Sequence, residues 1–205
     1  MEYLDYYDES GNYLGYATRE RVHKEGLWHK IVHNWMYTKD GKILFQLREG
    51  KLYTTASGHV DKGETLEEGA KREIKEEIGI DIQDDDLTFS EVVIWKMDKV
   101  KNDGSLFKDR AWSTRFYVLY SGDFTDFVFD PAEVSGIVAV AAREVLQFFE
   151  GDIEILKGIR VDLDGKISEV NLGLADFYVN EGETPQSKYT NIVQKLIEER
   201  LENIS

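Results

Sequence analysis

The stretch Gly58-His-Val-Asp-Lys-Gly-Glu-Thr-Leu-Glu-Glu-Gly-Ala-Lys-Arg-Glu-Ile-Lys-Glu-Glu-Ile-Gly-Ile80 predicts a loop that leads into a helix. Thr65 stands where an N-cap is needed, and Glu68, three residues later, completes the pattern of a capping box. Gly79 is placed to end the helix in a left-handed conformation. The helix is therefore expected to cover about residues 64–78.

One face of this helix is apolar and the neighbouring face is acidic. Apolar residues recur every four positions and should face a core, namely Leu66, Ala70, Ile74 and Ile78. Glu73, Glu76 and Glu77 stand at i, i+3 and i+4, so their carboxylates converge on one stripe. At about 100° per residue, that stripe lies beside the apolar one. The carboxylates are thus expected at the rim of a cleft, where Gly69 leaves room for a ligand or metal.

Three clustered carboxylates repel one another, which makes a cation their natural partner. Hard oxygen ligands suit Mg²⁺ or Mn²⁺, and these ions usually also bind the phosphates of a substrate. The alternative is an ordinary charged helix face that is exposed to solvent.

The composition suits a soluble enzyme with a small substrate. A length of 205 residues fits one domain with extensions, and 41% apolar residues can form a sizeable core. The formal net charge of −15, without a cluster of Lys and Arg, argues against a nucleic-acid partner. No apolar run approaches a membrane span, and no signal peptide is expected. The absence of cysteine excludes disulfide and thiolate chemistry and is consistent with a cytoplasmic protein.

Periodicity and turn residues predict an α/β order of elements. Two short strands joined at residues 8–12 are followed by a helical turn over residues 18–23. Further strands are expected over residues 30–38, 42–46, 86–98, 111–120 and 137–140, and residues 52–57 lead into the loop before the helix. A polar loop is expected over 99–109, a helix over 142–149 and a hairpin over 159–170. A terminal helix over 187–201 has one apolar face, which either packs on the domain, forms a homodimer or closes over the substrate.

Taken as Gly58, five residues, Glu64, seven residues and then Arg-Glu-Ile-x-Glu-Glu-x-Gly-Ile, the opening stretch resembles the Nudix box at every specified position. The resemblance implies an α/β (α+β) fold, the Nudix α/β/α sandwich around a mixed sheet, with N-terminal strands and a C-terminal hairpin and helix. Residues 1–150 would form the Nudix domain, and residues 151–205 an extension that packs on it. The implied enzyme is a hydrolase of acid anhydrides in phosphorus-containing compounds.

The resemblance also implies roles for single residues. Glu73, Glu76 and Glu77 would bind Mg²⁺ or Mn²⁺, Glu64 would be a second-tier ligand, and Arg72 would orient a glutamate. The general base would be Glu76 or Glu77, or else Glu133 or Asp130 in a later loop. The residues expected to shape the loop or to bind substrate are Gly58, Gly63, His59 and Arg48, with Lys51 and Lys62 as further phosphate-binding candidates.

A second resemblance covers roughly residues 8–80. Residues 11–19, 22–23, 26–29 and 44–48 are similar to the Nudix branch of type I isopentenyl diphosphate isomerase. That isomerase has a catalytic cysteine in a Cys-Gly-His stretch, whereas this chain has Ser57-Gly58-His59, which favours hydrolysis over isomerisation. His23, His29 and His59 fall near its metal-binding histidines and form a possible second metal site. The alternative is that they bond backbone or shape the pocket, because the expected pair of glutamates around residues 109–115 is missing.

We therefore predict a Mg²⁺- or Mn²⁺-dependent pyrophosphohydrolase. Its substrate would be a nucleoside diphosphate linked to another moiety, or a related small diphosphate compound. An isopentenyl-diphosphate-isomerase-like enzyme and a catalytically silent ligand-binding module are the alternatives. Among the tryptophans, one of Trp28, Trp35, Trp95 and Trp112 could stack a base, although packing is their commoner role, and His33 is expected to be structural.

Overall fold

A computed structural model describes residues 1–101 and 103–202 of the chain. Within these residues eleven strands form a single sheet. The strands are β1 (Tyr3–Tyr7), β2 (Tyr13–Thr18), β3 (Trp28–Thr38), β4 (Lys42–Arg48), β5 (Lys51–Tyr53), β6 (Ala56–His59), β7 (Leu87–Val100), β8 (Leu106–Tyr120), β9 (Gly136–Ala141), β10 (Leu156–Asp162) and β11 (Ile167–Leu172). The helices are α1 (Arg19–Glu25), α2 (Leu66–Ile78), α3 (Ala142–Glu150) and α4 (Pro185–Leu196), and Ile197–Leu201 continues α4 as a π-helical turn.

Strand β3 lies at the centre of the sheet. The strand order is β11-β10-β9-β4-β3-β1-β2, while β6 and β8 also pair with β3, and β7 pairs with β8. The β3–β8 pair is parallel from Trp28 opposite Arg110 to Thr38 opposite Tyr120, and the other strand pairs are antiparallel. The sheet is therefore mixed, as the sequence predicted.

Residues 52–57, which lead into the acidic motif, belong to two strands, because β5 pairs with β4 whereas β6 pairs with β3. One predicted boundary is wrong. The polar loop expected over residues 99–109 is much shorter, since β7 and β8 remain paired as far as Val100 opposite Leu106. Polar side chains on an exposed ribbon resemble a loop in sequence, but pairing along the ribbon satisfies their backbone groups.

Helices cover both faces of the sheet, which gives the expected three-layer sandwich. On one face, α2 buries Ala70, Ile74 and Ile78 against Val32 and Met36 of β3. On the other, α3 and α4 pack on the aromatic core around Trp35, Phe45 and Tyr117, and the α4 side contributes Tyr189, Ile192, Val193, Leu196 and Ile197. The apolar faces predicted for α2 and for the terminal helix are thus confirmed. Leu66 at the start of α2 and Leu201 at the end of the terminal helix are partly buried.

The C-terminal segment is joined to the rest of the molecule in two ways. Strand β10 pairs with β9, so the sheet continues past residue 150. Helix α4 is fastened by the hydroxyl of Tyr117, which donates to the Ile192 carbonyl at 2.7 Å, and by the hydroxyl of Tyr189, which donates to the Tyr178 carbonyl at 2.7 Å. Packing on the sheet is therefore the role of the terminal helix within this chain. In the described part of the chain, no helix has both the length and the apolar character needed to cross a membrane.

If α4 is part of the core, Leu196→Ala should destabilise the protein by about 2–5 kcal/mol, because the side chain is fully buried. The melting temperature should fall by several degrees. Asn191→Ala, on the exposed side of the same helix, is the matched control and should change it little. Equal melting temperatures for the two variants would show that α4 is not docked in solution.

Candidate active site

The ends of α2 fix the register of its acidic residues. The Thr65 hydroxyl accepts the Glu68 backbone N–H at 3.1 Å, and the Glu68 carboxylate accepts the Thr65 N–H at 2.8 Å. Gly79 ends the helix with φ of 76°, and its N–H donates to the Lys75 carbonyl. The capping box and the left-handed C-cap predicted from the sequence are confirmed.

Arg72 connects the helix to the loop before it. Its guanidinium donates to both oxygens of Glu64, at 2.8 and 3.0 Å. It also donates to Glu73 at 2.7 Å, to Glu76 at 3.1 Å and to the His59 carbonyl at 2.8 Å. Five charge-assisted hydrogen bonds therefore hold three carboxylates and one backbone group in a fixed arrangement around a single cation.

One glycine allows β6 and the helix to approach each other. A Cβ atom at Gly58 would lie 2.1 Å from the Glu73 carboxyl carbon, so only glycine admits that side chain. At Gly69 the sequence predicted room for a ligand or metal, but this prediction is wrong, because Gly69 is buried and does not line the cavity over the site. A Cβ there would make ordinary van der Waals contact, at 3.4 Å from Val60 and Glu64.

The three predicted metal ligands lie at different depths. Glu76 is 60% exposed and the Glu73 side chain 13% exposed, whereas Glu77 is only 4% exposed and is not at the cleft rim where the sequence placed it. Glu77 Oε2 accepts the Ser57 N–H at 3.0 Å and the Gln46 side-chain amide at 3.1 Å. These two hydrogen bonds explain how a carboxyl group can be buried there.

Burial raises the pKa of Glu77 to about 8, and the neighbouring carboxylates of Glu73 and Glu133 add to the effect. The pKa of Glu73 is also raised, chiefly by burial. Carboxylates that burial makes harder to ionise, and that offer only oxygen donors, fit a hard divalent cation such as Mg²⁺.

A cavity of about 420 Å³ lies over this arrangement. It brings together most of the predicted site residues, namely Arg48, Gly58, His59, Arg72, Glu73, Glu76 and Glu133. Glu64 and Glu77 do not line it and lie behind Arg72 and Ser57. Arg48 Nη1 and Glu133 Oε2, both from residues of its lining, lie 3.8 Å apart.

Three other candidates are engaged elsewhere. Asp130 bonds the Ala132 N–H within its own turn at 2.9 Å. Lys51 donates to the Ala175 carbonyl, and Lys62 lies 3.5 Å over the Tyr16 ring. None of these three residues lines the cavity among the residues that the structure describes. Gly63 has φ of 80°, which a loop glycine readily adopts.

His23, His29 and His59 meet at the edge of the same cavity, with one ring nitrogen from each within 4.8 Å of the others. His23 Nδ1 lies 2.8 Å from the Arg19 carbonyl, and His29 Nδ1 lies 3.0 Å from the Leu27 carbonyl. Because a carbonyl only accepts, both Nδ1 atoms carry the proton, and both Nε2 atoms present lone pairs.

Two acidic residues complete this histidine cluster. Asp109 Oδ1 lies 3.4 Å from His29 Nε2 and 3.9 Å from His23 Nε2, while Glu2 Oε1 lies 3.2 Å from His59 Nδ1. Burial lowers the pKa of His23 to about 4 and that of His29 to about 3, so both rings are neutral at pH 7. His29 Nε2 and Asp109 Oδ1 are buried without a hydrogen-bond partner among the described residues. His23 Nε2 and His59 Nε2 lie 3.3 Å apart, within hydrogen-bond distance. The unpartnered His29 Nε2 and Asp109 Oδ1 beside them fit a bound cation.

Sequence analysis missed Asp109 and Glu2. Asp109 was assigned to a loop, although the alternation of residues 109–115 on a strand is the signal that could have found it. Glu2 carries no such signal, because long-range pairing, including the bridge between Leu4 and Asp61, brings the N-terminus to His59.

A second cavity, of about 550 Å³, opens beside the first and shares Ile31, His33, Arg48, Ser57 and Asp109 with it. Trp35 and Trp95 line it, as do Tyr178 and Lys188 of the C-terminal segment. Trp28 and Trp112 instead stack on each other with ring centroids 4.8 Å apart. His33 hydrogen-bonds Ser113 at 2.6 Å, in keeping with a structural role.

The buried Glu77 carboxyl predicts a pH-dependent stability in metal-free protein. Its folded pKa of about 8 lies above the ordinary value of 4.5, so the folded state keeps a proton that the unfolded state loses. The stabilisation from this group is complete below pH 4.5 and is lost as the pH rises to 8. The fall in melting temperature between pH 5 and 8, measured with a chelator, should be smaller in Glu77→Gln than in wild type. Parallel curves for the two proteins would contradict the raised pKa.

Comparison with known proteins agrees with this geometry. The NUDIX domain family model matches residues 27–158, more than half of the chain. An uncharacterised Nudix hydrolase of Clostridium acetobutylicum is 28% identical over 177 residues, which cover 80% of this chain and 83% of that protein. Nudix hydrolase 3 of Arabidopsis thaliana is 27% identical over 157 residues, covering 72% of this chain but only 20% of the plant protein.

Among solved structures, the DR0079 protein of Deinococcus radiodurans has a similar fold, with a TM-score of 0.51 at 20% identity over 73% of this chain and 89% of that one. The fold, the complete acidic motif and the family match agree. The chain therefore belongs to the NUDIX domain family and is a hydrolase that acts on acid anhydrides in phosphorus-containing compounds.

Proposed function

We propose that this protein is a Mg²⁺- or Mn²⁺-dependent pyrophosphohydrolase that cleaves the diphosphate of a nucleoside diphosphate linked to another moiety, or of a related compound. The observation that carries the proposal is the set of Glu73, Glu76 and Arg72 at the floor of a cavity that also holds Arg48 and Glu133. Crowded carboxylates attract the metal, and the cations beside them attract phosphate oxygens.

Each residue has a defined part in this proposal. Glu73, Glu76 and Glu77 are the metal ligands, and Glu64 holds Arg72, which in turn orients Glu73 and Glu76. A bound divalent ion neutralises the diphosphate and lowers the pKa of a coordinated water. Arg48 binds a phosphate oxygen, and Gly58 and His59 form the wall beside it.

We assign the general base to Glu133. It lines the cavity, and its side chain is 48% exposed, so it can accept a proton from water. Glu77 is less suited because its Oε2 already accepts two hydrogen bonds, and Asp130 is engaged in its own turn. Glu76 remains the alternative base.

We propose that the chain belongs to the isomerase-like branch of the family. The support is the histidine cluster, because His23, His29 and His59 come together next to the acidic motif. Isomerase activity itself is not favoured. The position of the isomerase's cysteine is Ser57, whose backbone N–H is committed to Glu77. A hydroxyl is too weak an acid at its usual pKa to replace a thiol in proton transfer to an alkene.

We infer that the partner is a small molecule rather than a nucleic acid, because the net charge is −15. We further propose that the protein is cytoplasmic and forms a homodimer. Residues 1–150 form its domain, and residues 151–205 form an extension.

Glu76→Gln should keep the fold, because the side chain is exposed, and should lower turnover by a few orders of magnitude through loss of a metal ligand. Released phosphates are measured with Mg²⁺ or Mn²⁺ against nucleotide sugars, dinucleotides, nucleotide cofactors and nucleoside triphosphates. Glu67→Gln, exposed on the same helix, is the matched control and should keep wild-type rates.

Wild-type turnover by Glu76→Gln at saturating Mg²⁺ would overturn the metal assignment. Binding without turnover across the whole panel would favour the silent binding module instead. Conversion of isopentenyl diphosphate to its dimethylallyl isomer without phosphate release would favour the isomerase.

We also propose that His23, His29 and His59, together with Asp109, hold a second metal ion. Three imidazole nitrogens and one carboxylate suit a transition metal such as Zn²⁺ better than Mg²⁺. The backbone carbonyls at Nδ1 of His23 and His29, and Glu2 at Nδ1 of His59, would fix the ring orientations in the manner of outer ligands.

Elemental analysis of purified protein should find about one transition-metal ion per chain in wild type and in Glu76→Gln, but much less in His29→Gln. The first variant leaves the histidine cluster intact, whereas the second removes a buried ligand. Circular dichroism checks that each variant is folded. A bound ion that survives His29→Gln and is lost in Glu76→Gln would show that this cluster is not the metal site.

A further inference from the structure

The second cavity is the part of the site that diphosphate chemistry leaves unexplained. It is continuous with the first through Ser57, His33 and Arg48. A diphosphate held over Glu73 and Glu76 therefore places the rest of the substrate at its mouth. A volume of about 550 Å³ is large enough for a sugar or nucleoside group.

The walls of this cavity differ in chemistry. One wall is apolar, with Val93, Trp95 and Met97 at alternate positions of β7 and therefore on one side of that strand. The opposite wall is polar and comes from the C-terminal segment, with Tyr178, Glu183 and Lys188 among its residues. A group bound here is thus covered on one side by apolar side chains and faces a cation on the other.

Lys188 is held in place by aromatic rings. Its Nζ lies 4.3 Å from the ring centroid of Tyr178 and 5.5 Å from that of Tyr189. Tyr178 stacks on Tyr53 with centroids 4.3 Å apart, and the Tyr189 hydroxyl bonds the Leu52 and Tyr178 carbonyls. The ammonium group therefore has a defined position before any ligand arrives.

Lys188 also lacks a close counter-charge. Over residues 1–101 and 103–202, no carboxylate oxygen lies within the 4.0 Å of an ion pair from its Nζ. Glu183 acts on it only at longer range. The other cations of the walls are paired, Arg115 with Glu91 at 2.6 Å and Arg48 with Glu133 at 3.8 Å. Burial lowers the pKa of Lys188, as expected for a partly desolvated ammonium.

Two further polar groups of the walls lack partners. Trp35 and Thr54 are buried residues that line the cavity. The indole Nε1 of Trp35 and the hydroxyl of Thr54 have no hydrogen-bond partner in the part of the chain that the structure describes. The ammonium group of Lys188 can only donate, so it calls for acceptor oxygens on the ligand.

We propose that the second cavity binds the part of the substrate beyond the diphosphate, and that Lys188 selects a part that carries an anionic oxygen, either carboxylate or phosphate. This inference rests on the proposed function and narrows its substrate class. An anion next to Lys188 supplies the missing counter-charge and forms a charge-assisted hydrogen bond in a partly desolvated site. Lys188 is then a specificity-determining residue supplied by the C-terminal segment.

The test compares diphosphate compounds that differ by one anionic group: UDP-glucose with UDP-glucuronate, NAD⁺ with NADP⁺, and dephospho-coenzyme A with coenzyme A. Wild type should prefer the anionic member of at least one pair by about tenfold or more in kcat/KM. The first pair reports on a carboxylate, and the other two report on a phosphate.

Lys188→Met should abolish this preference by raising KM for the anionic member, with the neutral member changed less than about twofold. Lys188→Arg should retain part of the preference. Lys157→Met, on the exposed side of β10, is the matched control and should leave the preference unchanged. Equal turnover of both members of every pair by wild type, or a preference that survives Lys188→Met in folded protein, would overturn the proposal.

Calorimetric titration of the same pairs in the presence of a chelator separates this inference from the proposed function. Tighter binding of the anionic member that depends on Lys188, without hydrolysis when Mg²⁺ or Mn²⁺ is restored, would support the cavity assignment and overturn the proposed hydrolysis. Hydrolysis without discrimination between the members would support the enzyme and overturn the role of Lys188.

Discussion

The guanidinium of Arg72 is the group on which the candidate active site depends. It balances the charge of Glu64, Glu73 and Glu76 at once and also fixes the His59 carbonyl. Without it, three carboxylates would crowd together in a half-buried place and would be driven apart or protonated. Its hydrogen bonds instead set the distance between α2 and the loop before it, so the acidic side chains of the motif have defined positions.

The sheet positions the other residues of the site. Strand β3 carries His29 and His33 and pairs with β6, which ends at Gly58 and His59, and with β8, which carries Asp109 and Ser113. The acidic motif, the histidine cluster and the second cavity therefore all border the same strand. A substrate that spans the two cavities lies along β3, with its diphosphate near α2 and its other end near α4.

The C-terminal segment connects stability to specificity. Tyr189 and Ile192 belong to the core, and both also line the second cavity beside Lys188. The contacts that dock α4 are therefore the contacts that place the cation. Because this wall lies outside the acidic motif, related enzymes can share the chemistry at the diphosphate and still differ in the group that they accept beyond it.

The sequence alone determined the local features whose causes lie within a few residues. Thr65, Glu68 and Gly79 set the ends of α2, and the spacing of Ala70, Ile74 and Ile78 set its buried face, because a helix repeats every few residues whatever surrounds it. The family and the reaction class followed from the resemblance of the acidic motif to the Nudix box.

Only the tertiary structure decided the depth of Glu77, the burial of Gly69 and the joining of Asp109 and Glu2 to the histidines. Gln46 and Ser57 cover Glu77, and Val60 lies against Gly69. The β3–β8 pairing carries Asp109 to the cluster, and the bridge between Leu4 and Asp61 carries Glu2 there. Burial and long-range pairing arise from the whole packed chain, so periodicity within one segment cannot reveal them.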